Sequence, residues 1–200
     1  MVRVAAIVLA AGEGRRMGGP KALARLGSGT FAAAVVACFD RPGVAARIVV
    51  TGAQAERVTA EAGWPCGVFL VVNERWADGM LTSVWAGLDA AESLGSDAVL
   101  LHPVDNPVVA GATIDAVVEA LAGGATIAVP SHAGRRGHPA GFARAAWPAL
   151  RAAALDGGAR SVLSEHPDWV VHVPAGPDCL ADIDTPEALR ALQQELDARG

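Results

Sequence analysis

The chain has 200 residues, 52% of them apolar, and a formal net charge of −5 at pH 7. This length and apolar content predict one domain over residues 1–200 that can bury its own core. The negative charge and the scattered arginines argue against a nucleic-acid partner, and no apolar run reaches the roughly 18 residues that a membrane helix needs. Three widely spaced cysteines suit a reducing compartment, so we expect a cytoplasmic protein.

Short apolar runs alternate with longer helical patterns along the chain. The runs that predict strands covered on both faces lie at 2–10, 46–52, 67–73, 97–104, 125–130 and 169–174. Alanine-rich segments with helical periodicity lie at 30–40, 54–62, 80–94, 110–122 and 186–198. The first run follows Arg3 and resembles the start of a secretory signal, but no clear cleavage site follows it, which favours a buried strand. This order predicts a three-layer, doubly wound, Rossmann-like α/β fold, a mostly parallel sheet with helices on both faces.

One segment breaks this alternation. "PSHAGRRGHPAGF", residues 130–142, is rich in glycine and arginine and predicts a long loop after the fifth strand. Long loops in compact domains are usually functional, so we expect this one to contribute to a site.

A glycine-rich segment, "LAAGEGRRMGGPKAL" (9–23), follows the first strand, and in doubly wound folds ligands bind beyond the carboxyl ends of the strands. The segment does not match a dinucleotide fingerprint, because Met17 replaces the third glycine, nor a Walker loop, because Ala22 follows Lys21. What remains is a loop whose backbone N–H groups can hold a phosphate chain, with Arg16 and Lys21 supplying positive charge.

Lys21 is the only lysine of the chain, against 15 arginines. Lysine offers a compact point charge on a flexible stem, whereas arginine offers a larger planar fork. The choice of lysine at this one position predicts a site that needs the smaller group; the alternative is a solvated surface residue.

Residues 9–23 resemble the signature of the MobA-like nucleotidyltransferases, which activate a small phosphorylated acceptor with a nucleoside triphosphate. Three further segments fit the molybdenum cofactor cytidylyltransferase branch: "NERWADGMLTSVWAGL" (73–88), "GRRGHPAGF" (134–142) and "DIDTPEAL" (182–189). The resemblance implies that CTP and molybdopterin carrying molybdenum give molybdopterin cytosine dinucleotide and pyrophosphate, with Mg²⁺ required. A molybdenum hydroxylase or its insertion chaperone would then be a partner.

The resemblance also implies a set of nucleotide-binding residues: Leu9, Ala10, Ala11, Gly12, Gly14, Arg16, Lys21, Asn73, Gly79, Thr82 and Ser83. Arg16, Lys21 and Asp105 would be catalytic. Ala11 stands where the guanylyl-transferring relatives carry glycine, so its methyl group would tighten the base site and favour CTP over GTP. Helix capping by Thr82 and Ser83 is the alternative to base contact.

The predicted metal ligands are Asp105, which follows the fourth strand where the family's metal-binding aspartate lies, and Asp184. Asp182 and Asp184 alternate on an extended segment and therefore point the same way, which favours a shared cation, with Asp182 of lesser importance. His138 and Arg136, in the long loop, are expected to be exposed and to bind the acceptor; incidental surface residues are the alternative.

Two other functions remain open from the sequence. The family commonly has glycine before its metal aspartate, whereas Val104 precedes Asp105, and this keeps open a transferase of the same superfamily that acts on a sugar or polyol phosphate. The other open function is that of a non-catalytic nucleotide-binding or cofactor-insertion module for a molybdenum enzyme. The presence of Arg16, Lys21 and both aspartates argues against that second alternative.

Overall fold

The computed structural model describes residues 2–198, apart from the side chains of Arg16, Leu196 and Asp197. The strands are β1 (Val4–Ala10), β2 (Arg25–Leu26), β3 (Gly29–Thr30), β4 (Val44–Thr51), β5 (Val68–Val72), β6 (Ala98–Pro103), β7 (Ile127–His132), β8 (Arg135–Arg136), β9 (Ala140–Ala143) and β10 (Val170–Pro174). The α-helices are α1 (Phe31–Cys38), α2 (Ala55–Glu61), α3 (Met80–Ser93), α4 (Gly111–Ala122), α5 (Trp147–Ala152), α6 (Gly158–Glu165) and α7 (Pro186–Asp197). None of the helices within the described residues is long and apolar enough to cross a membrane.

A single large sheet has the strand order β10-β7-β9-β6-β1-β4-β5, with β8 paired to β7 at one end. Strand β1 runs parallel to both β4 and β6, β5 is parallel to β4, and β10 is parallel to β7. Only β8 and β9 run against their neighbours in this sheet. The predicted doubly wound, mostly parallel α/β fold is therefore confirmed, and each of the six predicted strands is present.

Helices cover both faces of this sheet, as the alternation of side chains along β1 requires. Ala6 and Val8 are fully buried in a cluster that includes residues of α1 and α4, and Ala5 and Ile7 are fully buried in the opposite cluster with residues of α3, α5 and α6. Burial of a valine or isoleucine side chain such as Val8 or Ile7 contributes about 1.5–3 kcal/mol, and that of an alanine less, which explains the continuous apolar character of the strand. Helix α7 adds Leu192 to a third, smaller cluster.

The prediction of a loop over residues 130–142 is wrong in part, because this segment contains the end of β7, the short β8 and most of β9. Strand β9 has the sequence AGFA, whose small residues carry little strand propensity. The small residues fit a close approach by α4: a Cβ atom at Gly141 would lie 2.8 Å from side-chain atoms of Val117 and Leu121. The helices α5 and α6, which the sequence analysis also missed, follow β9 and cover the sheet face opposite α4.

Candidate active site

A cavity of about 240 Å³ opens beyond the carboxyl ends of β1 and β6. Its lining residues are Leu9, Ala10, Ala11, Gly12, Gly14, Lys21, Ala22, Trp76, Met80, Ser83, Pro103, Val104 and Asp105. The glycine loop after β1, the start of α3 and the loop after β6 therefore meet at the edge of the sheet where the sequence predicts a nucleotide site. Most of the predicted nucleotide-binding residues lie on this wall; Asn73, Gly79 and Thr82 do not.

The glycine loop closes on itself beside the cavity. Gly14 has φ 64°, and the N–H groups of Met17 and Gly19 donate to its carbonyl oxygen at 2.8 and 3.2 Å. A Cβ atom at Gly14 would collide with the carbonyl oxygen of Gly19, so only glycine fits this turn. Within the described contacts, the N–H groups of Gly12, Glu13 and Gly14 have no acceptor in the protein. Consecutive free N–H groups of this kind form an anion-binding concavity.

Arg16 belongs to a 3₁₀ turn of this loop, Arg15–Met17. Its side chain lies outside the described part of the structure, so its predicted nucleotide-binding and catalytic roles stay predictions.

Lys21 lies where two acidic side chains converge. Its Nζ atom donates to Asp105 Oδ2 at 3.3 Å and to Asp184 Oδ1, so the ammonium bridges the two carboxylates. Only 14% of the lysine side chain is exposed, against 28% for Asp105 and 36% for Asp184. Lys21 is therefore not a solvated surface residue, and its charge is held inside the cavity next to the glycine loop.

Backbone contacts bring the two aspartates together from distant parts of the sequence. Asp105 follows β6, whereas Asp184 immediately precedes the turn into α7. The N–H of Ile183 donates to the carbonyl oxygen of Asp105 at 2.8 Å, and Asn106 Nδ2 donates to the carbonyl oxygen of Asp178 at 3.1 Å. The segment before α7 is thus fixed against the loop after β6, and the predicted pairing of Asp105 with Asp184 matches this geometry.

The donor set at this point fits a hard divalent cation. Asp105 Oδ1 is buried and has no hydrogen-bond partner, so this carboxylate has an oxygen in reserve. Burial, together with the negative charges of Asp105 and Asp184, raises the pKa of Asp182 above its usual range. Among the described residues no three His, Cys, Asp or Glu side chains form a cluster able to hold a metal. Mg²⁺ needs no such cluster, since it commonly takes one or two carboxylates and completes its shell with water and phosphate oxygens.

A hydrogen-bond network shapes the other wall of the cavity. Asn73 Nδ2 donates to Thr82 Oγ1 at 2.8 Å and to Ser83 Oγ at 2.9 Å, while Asn73 Oδ1 accepts from the N–H of Arg75 at 3.0 Å. The Thr82 hydroxyl lies 2.8 Å from the carbonyl oxygen of Gly79, which accepts from it. Asn73 and Thr82 are therefore engaged inside the protein, whereas Ser83 lines the cavity and its O–H remains able to donate.

The sequence analysis did not single out two large side chains on this wall, Trp76 and Met80. Met80 is 66% exposed at the start of α3, so its side chain is accessible to a molecule in the cavity. The segment "RWADGM" places a tryptophan three residues before a glycine and a methionine directly after it. This combination of side chains would have indicated an apolar surface on which a flat base ring can stack.

His138 and Arg136, the predicted acceptor-binding residues, occupy different environments. Arg136 is exposed on β8. His138 was expected to be exposed but is half-buried. Its backbone N–H donates to the carbonyl oxygen of Cys179 at 2.8 Å, and the Nδ1 atom of its ring is shielded from solvent and has no hydrogen-bond partner. Burial lowers the pKa of His138, with opposing effects from Asp182 and Asp105. Neither residue lines the nucleotide cavity.

His102, on β6, is fully buried, and its Nε2 lies 2.7 Å from the carbonyl oxygen of Asn106. A carbonyl oxygen only accepts, so Nε2 carries the proton. Burial lowers the pKa of His102 to about 3, which keeps the ring neutral. The ring therefore anchors the loop that carries Asp105 to the strand before it.

This neutral ring should make the stability of the protein depend on pH. The unfolded histidine takes up a proton below a pH of about 6.5, whereas the folded one stays neutral to a pH of about 3. Titration of this ring therefore leaves the free energy of unfolding unchanged above a pH of about 6.5. Below that pH it lowers the free energy of unfolding, by about 2 kcal/mol between pH 7 and pH 5. Urea unfolding at both pH values should show this loss in the parent. His102→Gln keeps a donor to Asn106 but does not titrate, so an equal loss in this variant would contradict the assignment.

Comparisons with known proteins show the family to which the chain belongs. Residues 6–170 match the model of the MobA-like NTP transferase domain family. A molybdenum cofactor guanylyltransferase of Rhodobacter capsulatus is 31% identical over 215 residues, covering 98% of this chain and 97% of its own. One from Cereibacter sphaeroides is 38% identical over 140 residues, 70% of this chain and 67% of its own. The bifunctional enzyme IspD/IspF of Rhodospirillum rubrum is 34% identical over 125 residues, 61% of this chain and 32% of its own.

Solved structures show the same fold. The crystal structure of the Mycobacterium tuberculosis Rv0371c homologue from Mycobacterium sp. strain JC1 has a TM-score of 0.84 at 25% identity, with 99% of this chain and 98% of that chain covered. Rv0371c from Mycobacterium tuberculosis H37Rv, in complex with manganese, has a TM-score of 0.72 at 25% identity, with coverages of 96% and 99%.

Proposed function

Because this chain belongs to the MobA-like NTP transferase family, we propose that it is a nucleotidyltransferase that transfers CMP from CTP to the molybdenum cofactor. The products would be molybdopterin cytosine dinucleotide and pyrophosphate. The choice of CTP rests on one observation, the methyl group of Ala11 in the cavity wall. An added Cβ at the neighbouring Gly52 would lie 2.9 Å from this methyl carbon and 2.5 Å from Cβ of Trp76, so Gly52 packs tightly behind this wall and holds Ala11 and Trp76 in place.

In the proposed reaction a terminal phosphate oxygen of the acceptor attacks the α-phosphorus of CTP. A new P–O bond forms as the bond between the α-phosphorus and the α–β bridging oxygen breaks, and its electron pair leaves with pyrophosphate. The free N–H groups of Gly12, Glu13 and Gly14 would hold the phosphate chain, and the Lys21 ammonium would neutralise charge on it. The protein therefore contributes positioning and charge rather than covalent chemistry.

We further propose that the reaction requires Mg²⁺, held by Asp105 and Asp184. These two carboxylates already share one cation, the Lys21 ammonium, and Asp105 keeps an unpartnered oxygen. A manganese complex of the structurally similar Rv0371c is consistent with a divalent ion in this fold. When bound, the ion would offset the negative charge of the phosphates in the transition state.

The nucleotide assignment is tested by pyrophosphate release at equal concentrations of each of the four nucleoside triphosphates, with and without molybdopterin. We expect turnover with CTP well above that with GTP, since a pocket matched to one base can discriminate by orders of magnitude. GTP is the relevant competitor, because the named molybdenum cofactor relatives are guanylyltransferases.

Ala11→Gly is the matched variant for this test, since it removes only the methyl group that narrows the base wall. The ratio of GTP to CTP turnover should rise in this variant. A preference of the parent for GTP or UTP would contradict the cytidylyl assignment while leaving the nucleotidyl transfer intact.

The acceptor is tested in the same assay. Val104 lines the cavity directly before Asp105, and part of the chain is similar to a bifunctional IspD/IspF enzyme, so a polyol phosphate is the comparison acceptor. We expect pyrophosphate release with molybdopterin and not with the polyol phosphate; the reverse result would replace the molybdenum cofactor as acceptor.

A further inference from the structure

The ammonium of Lys21 occupies the place between Asp105 and Asp184 at which a divalent cation would be held. We propose that Lys21 is a built-in counter-ion of the nucleotide-free protein, and that its ammonium and a divalent cation exclude one another at this carboxylate pair. The inference rests on the proposed metal-dependent transfer. The inference adds an order of events to that transfer: the carboxylates become available to the metal only when the lysine leaves them.

Exclusion follows from charge and from shared oxygens. Without a cation between them, the two half-buried carboxylates would repel each other, and the ammonium removes this repulsion. The lysine uses Oδ2 of Asp105 and Oδ1 of Asp184. A metal ion that joined the two aspartates would lie beside the positively charged Nζ atom even if it used the unpartnered Oδ1 of Asp105, so one of the two cations must move away.

The triphosphate offers the displaced ammonium another partner. Lys21 lines the same cavity as Gly12 and Gly14, whose N–H groups have no acceptor within the described contacts. A phosphate chain bound there would attract the lysine on its flexible stem and release the carboxylates. Nucleotide and metal would then each strengthen the binding of the other, a coupling that is reciprocal by thermodynamic necessity.

The probe is Mn²⁺ alone, titrated into the nucleotide-free protein and followed by the electron paramagnetic resonance signal of free Mn²⁺. We expect the parent to bind Mn²⁺ weakly and Lys21→Met to bind it about tenfold more tightly or better. Lys21→Arg is the matched control: it keeps a cation next to the carboxylates, so its affinity should stay near that of the parent. Asp184→Asn combined with Lys21→Met should lose the gain.

Thermal unfolding provides a second readout for the same proteins. Lys21→Met removes the ammonium that bridges the two carboxylates, so its unfolding temperature should be lower than that of the parent in metal-free buffer. Mn²⁺ should raise the unfolding temperature of Lys21→Met more than that of the parent, since a ligand that binds the folded state more tightly stabilises it more at the same concentration.

A measurement without any variant is possible because the chain has one lysine. Lysine labelled with ¹³C at Cε gives a single lysine resonance, which should shift as Mg²⁺ is added to the nucleotide-free parent at saturating concentration. A resonance that does not move while Mg²⁺ binds would overturn the inference.

Equal Mn²⁺ affinity of the parent and Lys21→Met, with both losing it on Asp184→Asn, would overturn the inference and leave the proposed metal site standing. Absence of Mn²⁺ binding in every protein, with CTP present as well, would overturn the metal-dependent function together with the inference.

Discussion

Replacing Lys21 with alanine is expected to lower turnover by about two to three powers of ten, the effect typical of losing one preorganised charge at a transition state. The ammonium lies in the nucleotide cavity beside the glycine loop, and no other lysine exists to replace it. Steady-state pyrophosphate release with CTP measures the effect, and circular dichroism checks that the variant is folded. The loss should persist even though removal of the ammonium, as in Lys21→Met, is expected to tighten Mn²⁺ binding, because metal affinity and phosphate neutralisation depend on Lys21 in opposite ways.

Lys21→Arg separates charge from geometry. The guanidinium is larger and directs its donors differently, so this variant should also be poor despite its equal charge. Near-normal turnover of the arginine variant would show that position 21 needs only a positive charge, and the choice of lysine there would carry no information.

Asp105→Asn and Asp184→Asn are each expected to lose about 99% of turnover or more, since removing one of two carboxylate ligands leaves the cation poorly held. EDTA should abolish the activity of the parent and Mg²⁺ should restore it. Pyrophosphate release over a Mg²⁺ titration measures both effects, and a raised Mg²⁺ requirement in the variants would identify the missing ligand.

Asp182→Asn is the control for this pair. Asp182 is close enough to feel the charges of Asp105 and Asp184, but it does not bond to Lys21, so its loss should affect turnover much less. Activity near that of the parent in both Asp105→Asn and Asp184→Asn would contradict the proposed site.

The sequence predicts those parts of the fold that depend on local pattern. Strands buried on both faces, such as β1, are readable as apolar runs because burial of each side chain is what stabilises them. Strand β9 cannot be predicted in this way. Its small residues allow α4 to pack closely on it, and only the folded structure shows this contact. Helices α5 and α6 are not readable either, because α5 contains Pro148 and α6 begins at Gly158 after a second glycine, and these residue types usually indicate turns.

The sequence also predicts which residues meet in the site better than it predicts what they do. The resemblance of the motifs identified Lys21, Asp105 and Asp184, and the structure brings their charged atoms into contact. That the ammonium itself joins the carboxylates depends on the lengths and directions of three side chains, which no motif encodes. Likewise, His138 stands in a glycine-rich segment that suggests exposure, yet it is half-buried against Cys179.

The segment that carries Asp184 lies beyond residue 170, where the match to the family model ends. It is held by the bonds from Asn106 to the carbonyl oxygen of Asp178 and from Ile183 to that of Asp105. A ribosome produces this segment after the glycine loop and after the strand that precedes Asp105. The carboxylate pair, and with it the proposed metal site, can therefore be completed only after residues beyond 170 have been synthesised, whereas the glycine loop is present much earlier.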